Sequence, residues 1–183
     1  MTKKKRVSES EVIMTELVLP NDTNPLNNLM GGRLMHWMDI VAAIAAQKHS
    51  NRIVVTAAAD SISFQHPIAL GNVVTLKAQV TRAFNSSMEV FIDVTAEDIP
   101  ANKKIKTHRA FFTFVAVDQN GRPIEVPEVE PSNPEEQELF EGALRRRQLR
   151  LVLAKRMNPH DAVELKSIFN LVDPLEEEKK SKK

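Results

Sequence analysis

The order of apolar patterns predicts an α+β domain: an antiparallel sheet wrapped around a central buried helix, with an extra helix towards the C-terminus. Three observations carry this expectation. The stretch after Gly31 and Gly32 is apolar at helical spacing on nearly every side, five other stretches have the β-branched, often alternating character of strands, and the connections among the last four strands are short. A length of 183 residues with 42% apolar content suits one core of ordinary size and hardly two.

The first strand is Val12 to Leu19, stopped by Pro20. The following "NDTNPLNN" is turn chemistry, because Asn and Asp satisfy local backbone groups and Pro25 keeps Asn24 out of the helical region. In the helix Leu34, Met35, Met38, Val41, Ala42 and Ala45 recur at three and four, while Trp37, Ile40 and Ile44 make the remaining side apolar too. Four strands come next, Ile53–Phe64, Val73–Phe84, Met88–Ala96 and Lys104–Val117, separated by "HPIALGN", "NSS" and "DIPANKK". A curled sheet covers only one side of such a helix. With no internal repeat in the sequence, a second copy of the chain is the natural cover for the other side.

Beyond Asp118, "QNGRPIEVPEVEPSNP" reads as an extended linker, and Pro134 with Glu135, Glu136 and Glu138 opens a second helix that carries "RRRQLR" and ends near "MNP". The expected organisation is residues 1–125 as the main domain, 126–160 as linker and helix, and 161–183 as a charged, disordered tail. The basic ends "TKKKR" and "KKSKK" read as solvated termini. With 25 basic and 24 acidic side chains, no summed field favours nucleic acid or an anionic membrane as partner. The chain has no cysteine, no apolar leader after its first lysines and no long uncharged apolar run. A cytoplasmic protein without thiol chemistry is expected.

Within "NPLNNLMGGRLMHWMDIVAAIAA" the one acid is Asp39. It sits either at an exposed edge of the helix, or paired to an unseen lysine, or in a site, since an unpartnered buried carboxylate is costly. The glycine pair reads as a turn or as the opening of the helix, where unbonded amides at the positive end of the dipole can hold a carbonyl oxygen that becomes negative; Gly32 is the candidate. His36, three residues before Asp39, would share its side of the helix, yet a lone histidine in an apolar helix reads first as a satisfied core residue. His66 and His108 join His36 and Asp39 in no metal-binding spacing, so no metal is expected. There is no GxGxxG, no GxxxxGK[ST] and no GxSxG.

"GGRLMHWMDIVAAIAA", preceded by "NPLNN" and followed by "VTAAADSISFQHPIALGNVVTLKAQVTRAFNSSMEV", resembles the cytosolic acyl-CoA thioesterases of the hotdog fold, over roughly residues 10–125. The resemblance implies a five- or six-stranded antiparallel sheet around the helix, a dimer as the active unit and a trimer of dimers as the assembly. It implies that Asp39 is the catalytic carboxylate, acting on water or on the thioester carbon, and that Asn24 stands beside it, although an Asx turn before Pro25 explains the same asparagine. Arg82, Ser86 and Ser87, in "TRAFNSSMEV", match a segment bordering the CoA site, while hairpin chemistry accounts for "NSS" equally. The expected activity is hydrolysis of acyl-CoA to free fatty acid and CoA, with CoA present only as part of the substrate and no other cofactor. A non-catalytic acyl-CoA binding or sensing module is the alternative, and a hotdog hydratase shares the fold alone.

Overall fold

The computed structural model describes residues 4–60, 62, 64 and 66–168. The chain divides into two compact units, Met1–Glu136 and Gln137–Lys183.

In the first unit, strand β1 (Lys4–Arg6) precedes β2 (Val12–Leu17), helix α1 (Gly31–Ser50), β3 (Ile53–Asp60), β4 (Val73–Ala83), β5 (Ser87–Asp98), β6 (Lys103–Val117) and β7 (Glu128–Glu130). Five of these form one antiparallel sheet in the order β2-β4-β5-β6-β3. The sheet is two-faced because the strands alternate. Val74, Leu76, Ala78 and Val80 of β4 are fully buried, as are Val90, Ile92 and Val94 of β5, while Lys77, Gln79, Asp93 and Arg109 lie on the opposite side. Against the buried face pack Leu34, Met38, Val41, Ala42, Ala45 and Ala46 of α1. Each Leu or Met side chain so buried contributes about 1.5–3 kcal/mol.

Three register shifts bend the strands, between Val80 and Arg82, between Val94 and Thr95, and between Thr56 and Ala58. An extra residue on one side of a ladder forces a local bend and added twist, which lets a flat array close round a helix. The expected hairpin is present, with Phe84 N–H donating to Ser87 O at 2.8 Å across the β4–β5 turn. Helix α1 stops at Asn51, whose left-handed backbone (φ 54°) ends the helical path.

A single protomer covers one side of α1 only. Met35, Ile40 and Ile44 are 39%, 37% and 42% exposed, along the same side of the helix as His36 and Asp39. Beside them, edge strand β3 shows Ile53 and Val55 at 61% and 49% exposure. The helix expected to be buried all round is therefore bare, in one chain, on the side assigned to a partner.

Two elements differ from the sequence reading. The basic N-terminus supplies β1, paired parallel to β7 from the proline-rich linker. Lys5 Nζ donates to Lys48 O at 3.0 Å and to Asn51 Oδ1 at 2.6 Å, pinning this ribbon to the end of α1. Three-residue strands carry too short a pattern to be seen in sequence. Helix α2 (Pro134–Leu153) starts at the expected proline, at the end of the first unit, and is capped there, Asn133 Oδ1 accepting from Glu136 N–H and the Glu136 carboxylate from Ser132 N–H. It is followed by α3 (Val163–Ile168), inside the stretch read as tail, where Gln148 Oε1 accepts from Leu165 N–H. The rest of that tail, 169–183, lies outside the described residues. No helix among the described residues is long and apolar enough to cross a membrane.

Candidate active site

The loop before α1 is fixed by its own side chains. Asp22, 7% exposed, accepts from Leu19 N–H and pairs with Arg33 Nε at 2.7 Å, tying the loop to the first helical turn. Asn24 closes an Asx turn, its Oδ1 accepting from Leu26 N–H at 2.9 Å and Asn28 N–H at 3.2 Å, and its backbone is paired with Asn28. The turn uses the oxygen alone, and the Nδ2 donors have no acceptor among the described residues.

Asn24 lines an open cleft of about 390 Å³ at the start of α1, together with Asn28, Gly31, His66 and His108. Its apolar wall includes Leu34, Phe64 and Ile68. The amides of Gly31 and Gly32 find no acceptor among the described residues, as expected at a helix start. A Cβ on Gly31 would come within 3.1 Å of the Phe64 ring, so glycine there lets the ring approach the backbone; at Gly32 nothing lies within 4 Å. The glycine that borders the cleft is Gly31, and Gly32 next to it is open to approach.

Asp39 is elsewhere on the helix. It is half-buried, outside the lining of this cleft, eight residues along α1 from Gly31 and so about 12 Å further down the axis. Its Oδ1 accepts from Thr56 Oγ1 at 2.8 Å, and Thr56 is the residue of β3 just before the bulge at Ala57. Sequence reasoning missed this threonine. Within "IVVTAAAD" it looks like an ordinary strand residue, and only the packing of β3 across α1 aims it at the carboxylate. His36 makes no hydrogen bond to Asp39.

The β4–β5 turn with Ser86 and Ser87 sits at the sheet level of Thr56, because Thr56 pairs with Phe114 and Phe114 with Met88. Ser86 O accepts from Ala116 N–H, and the Arg82 guanidinium lies 5.7 Å from the centroid of the Phe84 ring. No group of three or more His, Cys, Asp or Glu among the described residues could hold a metal ion.

His108 was read only as a metal candidate. It is 4% exposed, with both ring nitrogens lacking a hydrogen-bond partner among the described residues and its ring in a T-shaped contact with Phe64 at 5.5 Å. Burial, and then the neighbouring His66, lowers its pKa below the usual imidazole value.

Comparison with known proteins adds three findings. Residues 26–101 match the family model of the thioesterase superfamily. The chain is 43% identical over 138 residues to the uncharacterized acyl-CoA thioester hydrolase YkhA of Bacillus subtilis, covering 75% of this chain and 80% of that protein. Among solved structures it is similar to an apo-hexameric acyl-CoA thioesterase (39% identity, TM-score 0.81, 83% and 97% of the two chains) and to an acyl-CoA hydrolase from Staphylococcus aureus in complex with butyryl coenzyme A and coenzyme A (37%, TM-score 0.77, 84% and 95%). The Staphylococcus aureus hydrolase was also solved with alanine in place of an asparagine, an aspartate 15 positions later and a threonine 17 beyond that. Asn24, Asp39 and Thr56 have the same residue types at the same spacing.

Proposed function

We propose, from the premise that this chain belongs to the thioesterase superfamily as one of its acyl-CoA hydrolases, that Asp39 is the base of a site completed by Asn24 and the amides of Gly31 and Gly32. The reaction is hydrolysis of acyl-CoA to the free acid and CoA. The observation that carries the site assignment is the Thr56–Asp39 hydrogen bond, which holds the carboxylate in one orientation on the uncovered side of α1.

The chemistry asks little of the protein. Asp39 takes a proton from water as the water oxygen bonds to the thioester carbon, and the carbonyl electrons move onto oxygen. Asn24 Nδ2 and the helix-start amides donate to that oxygen, at the end of α1 where the dipole favours negative charge. Collapse breaks the carbon–sulfur bond. A thiol with pKa about 8.5 departs as thiolate and takes up the proton later, so no strong general acid is required. The scheme uses neither metal nor redox cofactor.

A base and a carbonyl-holding group must reach one thioester within about 3–3.5 Å, whereas in one chain the cleft of Asn24 and the Asp39 carboxylate are separate. The site is therefore shared: Asn24 and the helix start from one protomer, Asp39 and Thr56 from its partner, seated on the exposed Met35–Ile40–Ile44 stripe. The dimer is the active unit and a trimer of dimers the assembly, in agreement with a hexameric neighbour. Arg82, Ser86 and Ser87 border the CoA moiety, and the protein works in the cytoplasm.

The test is release of CoA thiol from a short acyl-CoA by purified protein, beside Asp39→Asn. The variant should lose about 10²- to 10⁴-fold in kcat with an unchanged fold. Turnover within about twofold of the parent would remove Asp39 from the mechanism.

A further inference from the structure

We propose that His108 determines substrate specificity: its imidazole hydrogen-bonds an oxygen carried on the acyl chain, so that hydroxy- or carboxy-acyl-CoA is preferred to a plain acyl-CoA of the same length. The inference rests on the reading of the cleft as the thioester site.

His108 is almost wholly buried, yet among the described residues neither ring nitrogen has a hydrogen-bond partner. Buried polar groups are nearly always paired, because an unpaired one forfeits its bonds to water without replacement. The neighbours do not supply the missing bond. Thr107 Oγ1 is spent on Val94 O, and Asn24 Oδ1 on its turn. Phe64 meets the His108 ring in a T-shaped contact and has no polar atom to offer it. What remains beside the imidazole is the cleft, where His66 is the other ionisable side chain. With its pKa lowered, His108 is a neutral ring at neutral pH, presenting one donor and one acceptor.

A thioester with its carbonyl at the start of α1 lays one of its arms along the wall that holds Leu34, Phe64 and His108. A hydrocarbon acyl chain satisfies Leu34 and Phe64 and leaves His108 unpaired. A hydroxyl can accept from the ring and donate to it, and a carboxylate can accept from its N–H. Both ligands share the chemistry of an oxygen on the acyl carbons. Sites built to bond such a group discriminate against the analogue lacking it.

The test compares kcat/KM for three four-carbon substrates, butyryl-, 3-hydroxybutyryl- and succinyl-CoA, in the parent, His108→Ala and His108→Gln. The parent should favour at least one oxygenated substrate by about tenfold, the worth of one hydrogen bond between uncharged groups. A preference for 3-hydroxybutyryl-CoA identifies a hydroxyl ligand; one for succinyl-CoA identifies a carboxylate. His108→Ala should bring the ratio to within about threefold of unity, with the larger loss on the oxygenated substrate, and His108→Gln, which retains a donor and an acceptor, should keep part of it. Should the alanine variant fail to fold, the glutamine ratio decides alone. Equal or faster hydrolysis of butyryl-CoA by the parent, or an equal loss on all three substrates in the variants, overturns the inference. Hydrolysis of none of the three overturns the thioester reading beneath it.

Discussion

Replacing Thr56 with valine removes one atom's chemistry and almost nothing else. Valine matches threonine in shape and suits a strand, so β3 keeps its bulge and its ladder to β6. What is lost is the 2.8 Å bond from Thr56 Oγ1 to Asp39 Oδ1. A hydrogen bond to a charged group is worth about 1.5–3 kcal/mol when sheltered. Thr56 is exposed in a single chain, so water can replace it in the free protomer, and the stability cost should stay below about 1 kcal/mol. The cost to catalysis is larger, because a carboxylate free to rotate is seldom aligned with the attacking water. A fall in kcat of about 10- to 100-fold is expected, or about 1.4–2.7 kcal/mol of barrier, with KM nearly constant. Thiol release under saturating acyl-CoA measures it, and Thr56→Ser should restore most of the rate. A valine variant with kcat within twofold of the parent would refute the reasoning, because Asp39 would then need no such support.

Two further outcomes follow from the uncovered helix side and the buried histidines. Ile44→Glu places a charge where the partner seats; burying it unpaired costs several kcal/mol, so light scattering should show smaller species with little CoA release, and a fully active single chain would contradict the shared site. His49, buried with Nε2 2.8 Å from Pro127 O, has its pKa lowered by burial first and by Lys5 among the charges, as His108 has by burial and His66. A lowered native pKa means that the unfolded chain binds more protons below its own value of about 6.5, so stability is lost as pH falls from there towards the native values. The urea midpoint should be lower at pH 5.5 than at pH 7.5, and His49→Gln should flatten the difference; equal midpoints in the parent would exclude this linkage.

Strong, long patterns were legible before any coordinates. Asp39 stood out because no other acid interrupts residues 24–46, and the helix announced its missing cover because Ile40 and Ile44 add an apolar row beside that of Val41 and Ala45. The β1–β7 ribbon was not legible, since Lys4–Arg6 and Glu128–Glu130 each expose two residues of three and carry no apolar alternation. Thr56 was hidden for a different reason. Its role depends on how β3 crosses α1, a tertiary fact that no local spacing encodes. His108 reads in sequence as one histidine in "KTHRAFF"; only the fold reveals that its nitrogens are buried without a partner among the described residues. For Asn24 the two explanations, turn former and ligand holder, do not exclude each other, because the turn uses Oδ1 and leaves Nδ2.

The central claim is that one active site draws Asp39 and Asn24 from two protomers. Subunit exchange between an Asp39→Ala protein and an Asn24→Ala protein tests it most directly. Each alone should be slowed by at least about 10²-fold, whereas every mixed dimer contains one site with both residues intact. After mixing, with exchange confirmed by native mass spectrometry, CoA release should rise to about a quarter of the parent rate, half the dimers being mixed and half of their sites whole. Exchange with no return of activity would contradict a shared site and place both residues of each site in one chain.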